Sequence, residues 1–212
     1  MLSHRYHYRR CRRMPRLSHR GDPEHGEIRL ILPFAIYKYV DRMDDGQRES
    51  YHAAVVHTNG GKSPIDGDLY HWWKYGSEAG VGAHLQVGWK GNVFQYLDTN
   101  RYTGHAWDAN HWTVGIETED DGDPSKPWTP AQVKSLVLIL HTLRVPAVPL
   151  KCGRSEGVGF HQQFSGKDAP CSWNRRNHDC PGPVRRNQLG TVLNLLKESY
   201  SRKDEAWLIS MM

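Results

Sequence analysis

Three stretches of the chain hold residue types that can bind a metal and hydrolyse a bond. "AVVHTNGG" (54–61) ends an apolar run on His57, then reaches Asn59 and a Gly pair that lets backbone approach closely. "GFHQQFSG" (159–166) carries His161, and "NHDCPGP" (177–183) carries His178, Asp179 and Cys180. Two imidazoles and a thiolate, with a fourth position left to water, form a donor set suited to catalytic zinc. Spacing alone leaves this open, since a chain with 13 histidines offers many such triples and Asp179 could ligate in place of Cys180. Glu117, in "WTVGIETED" (112–120), is either an exposed strand carboxylate or a general base.

The elements that would bring these groups together alternate between strands and helices. "YHAAVVH" (51–57) reads as a strand, and "DLYHWWKYGS" (68–77) as a short helix begun near Asp68. "AHLQVGW" (83–89) and "NVFQYLD" (92–98), separated by Lys90 and Gly91, read as a hairpin, and residues 112–120 have the apolar density of a central strand. The clearest helix spans 129–145: Thr129 is its N-cap, Pro130 its first residue and Gln132 its third, with Val133, Leu136, Val137, Leu140 and Leu143 at helical spacing. His141 within it is expected to be a surface or packing residue. The stretch from Val148 to Pro183, rich in Gly, Ser, Pro, Asn and Cys, reads as a long functional loop, and a last helix runs from about Pro183 to Tyr200. The expected fold is α/β: a mixed sheet of five or six strands flanked by helices, with the site at one sheet edge.

At 212 residues the chain suits one core with a tail. The net charge of +5 is misleading, because residues 1–20 hold seven arginines and no acid; without them the 28 basic residues fall to 21, against 23 acidic. Residues 1–30 are therefore expected to be a disordered or non-native basic tail, 31–205 the folded domain and 206–212 a second tail. No nucleic-acid partner is expected for the folded body, and no membrane partner, since no apolar run approaches the roughly 20 residues that span a bilayer. Residues 1–27 lack the apolar stretch of a secretory signal, which implies synthesis in the cytoplasm. None of Cys11, Cys152, Cys171 and Cys180 forms a C-x-x-C pair, which argues against zinc-finger or thioredoxin-like chemistry. Cys152 and Cys171 could pair in an oxidising setting.

Taken in order, "VVHTNGG", "VGAHLQVGWKGNVFQYLD", "GHAWDANHWTVGIETED", "TPAQVKSLVLIL" and "GFHQQFSG…NHDCPGP" resemble the zinc-dependent N-acetylmuramoyl-L-alanine amidases of type 2. That superfamily includes phage amidase lysozymes, anhydromuropeptide amidases and animal peptidoglycan recognition proteins. The resemblance covers about residues 50–200 and is nearest in flavour to endolysins of phages infecting actinobacteria. It implies Zn2+ held by His57, His161 and Cys180, and peptidoglycan as substrate. It also implies a monomer acting on the cell wall after release by a holin or another non-classical route. Where phage amidase lysozymes carry a tyrosine, this chain has Ala83, so the resemblance passes general-base work to Glu117. Where relatives often carry an oxyanion-stabilising lysine, it has His178. His84, His105, Trp107 and Asn59 are the implied substrate contacts, though His84 and His105 also suit packing, and Trp107 and Trp112 suit the core. Three rivals stand beside this: a non-catalytic peptidoglycan-binding module of the same fold, a cell-wall cysteine peptidase using Cys152 or Cys171 with His161 as base, and nucleic-acid binding through the arginine-rich residues 1–20.

Overall fold

The computed structural model describes residues 18–21, 28–48, 50–60, 68–151, 156–164 and 179–202. Strands β1 (Ser18–Gly21) and β2 (Ile28–Ile31) form an antiparallel pair. A six-stranded mixed sheet contains β3 (Ile36–Tyr37), β4 (Ala53–Thr58), β5 (Leu85–Val87), β6 (Val93–Gln95), β7 (Thr113–Thr118) and β8 (Gly157–Phe160) in the order β3-β6-β5-β7-β4-β8. Only the β5–β6 pair is antiparallel within it. Helices α1 (Pro130–Thr142) and α2 (Pro183–Ser201) pack on one another and on the sheet.

Alternation along the central strands divides labour between the two faces of the sheet. Ala54 and Val56 of β4, Val114 and Ile116 of β7, Leu85 and Val87 of β5, and Val158 and Phe160 of β8 join the core shared with α1 and α2. The intervening residues Ala53 and Val55 belong to a second cluster with Ala106, Leu150 and Phe164. By the same alternation His57 and Glu117 stand on this second face, away from the helices. Strand β4 is apolar on both faces until His57, as a parallel strand covered on both sides must be.

Helix α1 begins as its sequence dictates: the Thr129 hydroxyl accepts from Gln132 N at 3.1 Å, and Gln132 Oε1 accepts from Thr129 N at 3.1 Å. His141 is a packing residue, buried with Nδ1 2.8 Å from Ser199 Oγ and its ring stacked on Tyr200 of α2. The helical turn after Asp68 forms too, widening into a π-helix at Trp72–Gly76.

One expectation needs correction. Strand β8 lies inside the stretch read as loop: Gly157 and Gly159 remove half of its apolar pattern, leaving Val158 and Phe160 as the only side-chain signal. Added methyls there would lie 2.3 Å from Val148 O and from Gln163 Oε1, so the glycines reflect close packing rather than a loop. Strands β1 and β2 fall within residues 1–30 or straddle that boundary. The Leu30 N–H donates to Asp98 Oδ1 at 2.6 Å and Leu32 N–H to Gln95 Oε1 at 2.8 Å, which ties the pair to the end of β6.

Candidate metal centre

His57 is the fifth residue of β4, and β7 pairs with that strand in a parallel register that sets His57 directly beside Glu117. His161 follows the last residue of β8, in a short turn His161–Phe164. Cys180 arrives from the other side, three residues before α2 begins. One potential ligand atom from each of His57, His161 and Cys180 lies within 4.8 Å of the others. The His57 and His161 ring centroids are 4.8 Å apart, and Thr58 N–H donates to Cys180 Sγ at 3.1 Å. Gln162 N–H donates to Cys180 O at 3.1 Å, joining the two late segments to one another. The neighbouring Asp179 is exposed and accepts from Arg186 Nη1 at 2.6 Å, so the thiol rather than this carboxylate faces the histidines.

These groups line a cavity of about 560 Å³, with Glu117, His105, Trp73, Trp107 and Glu78 on its wall. Burial, then the nearby Asp120 carboxylate, lifts the Glu117 carboxyl to about 8, while Arg185 opposes the rise. Its Oε2 is enclosed without a hydrogen-bond partner among the described residues. Burial and the adjacent Glu117 likewise push the Cys180 thiol far above its ordinary value. Two acids held neutral beside two imidazoles are what a divalent cation would reverse, since it stabilises both conjugate bases. With a two-nitrogen, one-sulfur donor set and an adjoining cavity for a fourth ligand, the residues fit a catalytic metal such as zinc.

The expected substrate contacts differ in where they stand relative to the cavity. His84 is fully buried: its Nδ1 accepts from Gly115 N–H at 3.0 Å and its Nε2 donates to Arg101 O at 3.0 Å. Burial, with Arg48 and His105 adding to it, holds its pKa well below 6.5, so it is a neutral structural imidazole behind the cavity wall. His105 reaches the wall, but both its ring nitrogens are engaged by protein, Nδ1 3.2 Å from His57 Nε2 and Nε2 3.2 Å from Thr113 O. Burial depresses its pKa to about 3. Trp107 meets the expectation better, being 48% exposed on the cavity wall with a left-handed φ of 53°. Asn59 is off the wall; its N–H donates to Thr118 O at 3.2 Å. His178, Cys152 and Cys171 lie outside the described residues.

Sequence reasoning missed Arg185, which is fully buried behind the site. Its Nη1 donates to Thr58 Oγ1 at 3.1 Å and Thr118 Oγ1 at 2.9 Å, its Nη2 to Glu119 O at 2.8 Å and its Nε to Lys126 O at 3.0 Å. The Thr58 hydroxyl in turn donates to Asp120 Oδ2 at 2.7 Å. The guanidinium thus ties α2 to the ends of β4 and β7, the two strands that carry His57 and Glu117. A signal was present: Arg185 stands four residues before Leu189, on the apolar stripe of α2, where a charge needs a buried partner.

The profile of the N-acetylmuramoyl-L-alanine amidase family matches residues 46–183. No curated protein matches the chain. Among solved structures it is similar to the endolysin N-acetylmuramoyl-L-alanine amidase LysCS from Clostridium intestinale, at 18% identity and a TM-score of 0.55, covering 77% of this chain and 97% of that one. A selenomethionine derivative of AmpD aligns at 17% identity and a TM-score of 0.56, covering 76% and 96%. Peptidoglycan recognition protein-LE, solved with tracheal cytotoxin, aligns at 13% identity and a TM-score of 0.53, covering 76% and 94%. At these identities the structural likenesses speak to the fold: a mixed central sheet with flanking helices.

Proposed function

The chain belongs to the N-acetylmuramoyl-L-alanine amidase family, whose members hydrolyse an amide of peptidoglycan, and from that premise we propose that it is a zinc enzyme using His57, His161 and Cys180 as ligands and Glu117 as general base. The bond cut is the amide between the lactyl group of N-acetylmuramic acid and L-alanine. The single observation that carries the metal assignment is the approach of the three donor atoms to within 4.8 Å.

Zinc supplies a Lewis acid that polarises the amide carbonyl and makes water nucleophilic near neutral pH. The protein supplies the rest. Glu117, beside His57 across the β4–β7 pair, takes a proton from the attacking water and hands it to the departing amine of L-alanine. The His178 N–H stabilises the charge developing on the carbonyl oxygen. Trp107, exposed at the cavity rim, offers a flat apolar face to the sugar or the peptide stem. The chain acts as a monomer in this scheme. No helix among the described residues is long and apolar enough to cross a membrane, and the likeness to endolysins supports action on the wall after release from the cell that makes it.

Mass analysis of digested peptidoglycan tests the activity: new L-alanine amino termini and intact glycan strands are expected. Their appearance should stop on chelation and return with added zinc. Digestion that persists in chelator after zinc content falls to zero rejects the metal assignment. Peptidoglycan binding without any new amino terminus points to a recognition module instead.

A further inference from the structure

The neutral imidazole has one protonated and one bare nitrogen, and only the bare one can ligate a metal. Which nitrogen of His57 is bare follows from a chain of partners behind it. The Thr113 hydroxyl donates its only proton to Ala109 O at 2.7 Å. Both oxygens of Thr113 near His105 Nε2, the carbonyl at 3.2 Å and the hydroxyl at 3.3 Å, are therefore acceptors, and His105 Nε2 must carry the proton. In the neutral ring, Nδ1 of His105 is then bare. It lies 3.2 Å from His57 Nε2, which must in turn supply the hydrogen of that bond. The opposite tautomer of His57 would set two lone pairs against each other at this distance.

We propose that His105 is a positioning residue for the metal: by accepting the His57 Nε2–H, it fixes His57 in the tautomer that leaves Nδ1 to take the metal. The inference rests on the zinc assignment above and extends it to a residue standing behind the ligand His57. Three features hold His105 in place for this task. Asn110 Oδ1 accepts from the backbone N–H of His105 at 2.9 Å and of Ala106 at 2.5 Å, pinning the turn. Gly115 leaves room for the ring, since an added Cβ would lie 2.7 Å from His105 Cγ. His84 anchors Gly115 in turn, through its Nδ1. The three imidazoles thus form a graded series from fully structural His84, through His105, to the ligand His57, with ring centroids 5.6 Å and 5.4 Å apart.

Long-range 1H–15N spectra of the histidine rings, recorded on the zinc-free full chain and again with zinc, decide the tautomers directly. Protons on Nε2 of both His57 and His105 are expected in the zinc-free protein, with His57 Nδ1 taking the metal on loading. A proton on His57 Nδ1 in the zinc-free protein, or zinc on its Nε2, overturns the proposal. Zinc affinity, measured by competition with a chromophoric chelator, should fall by about 10–100-fold in His105→Leu, with His105→Asn closer to wild type because an amide oxygen can still accept. A His105→Leu protein that binds zinc as tightly as wild type also overturns it. If the leucine variant does not fold, the spectra and the asparagine variant still decide. Wild type taking up no zinc would instead defeat the metal assignment, and the zinc-free spectra would judge the His105 contact separately.

Discussion

Replacing Glu117 by glutamine should make the zinc-free protein more stable while removing most of its activity. The carboxyl sits at about 8 in the fold, against 4.5 for an unburdened glutamate. Between these values the unfolded chain ionises while the folded one keeps its proton. The folded state then binds more protons, so stability falls as pH rises from 4.5, and the loss is complete above 8. Each pH unit costs about 1.4 kcal/mol, which sets a ceiling of about 3 kcal/mol at pH 7. Glu117 borders a cavity rather than the sealed core, and water there screens part of the effect, so about 1–3 kcal/mol is the expected gain. For a domain of this size that raises the midpoint by about 2–10 °C. Glutamine keeps the shape and cannot ionise, so Glu117→Gln should melt above wild type at pH 7 in chelator, and the two curves should converge near pH 4.5. Activity on peptidoglycan should drop by about 10²–10⁴-fold, the worth of a general base. A variant no more stable than wild type at pH 7, or a stability gap that persists unchanged at pH 4.5, would refute the burial argument; retained activity would refute the catalytic one.

Other perturbations should separate the supports of the site. Arg185→Met removes five side-chain hydrogen bonds to β4, β7 and the following loop and leaves Asp120 without its guanidinium; a loss of about 3–5 kcal/mol in urea unfolding is expected, and a loss under 1 kcal/mol would show the network to be dispensable. Gly115→Ala forces a methyl to within 2.7 Å of the His105 ring, so chemical denaturation should register about 1–3 kcal/mol of overpacking and zinc affinity should fall with it. His84 is held neutral by burial, with a folded pKa well below 6.5. Its contribution is therefore present above pH 6.5 and lost as pH falls below it. In a Glu117→Gln background, which removes the opposing slope, thermal midpoints should decline below pH 6.5, and His84→Gln should flatten that decline.

Much of the architecture could be read from the chain because local signals and tertiary demand agree there. The Thr129–Pro130–Gln132 start of α1 and the apolar run before His57 each specify one structure. The candidate ligand set was legible only through motif order, since no local rule says that His57 and His161, 104 residues apart, meet at neighbouring strand ends. Strand β8 was hidden because its glycines answer to packing partners rather than to strand propensity. The histidines were ambiguous for a related reason. His84, His105 and His57 are identical in type, and only the partners at each ring nitrogen tell them apart. Such partners include the carbonyls of Arg101 and Thr113 and the N–H of Gly115, backbone groups that no side-chain pattern encodes.

The alternation of the central strands explains why chemistry could be added to this sheet without dissolving its core. On β4 and β7 the helix-facing positions Ala54, Val56, Val114 and Ile116 are all apolar and buried, so they supply the hydrophobic burial that holds α1 and α2. The opposite positions are released from that duty toward the C-terminal ends of the strands, where His57 and Glu117 stand side by side. A slip of one residue in either strand would exchange the two sets, burying an imidazole or a carboxylate under the helices at a cost no local bond repays. The same apolar residues that stabilise the fold therefore fix the register of the site. Substituting a core residue such as Val56 by a larger side chain should disturb zinc affinity as well as stability, although its side chain belongs to the core shared with α1 and α2.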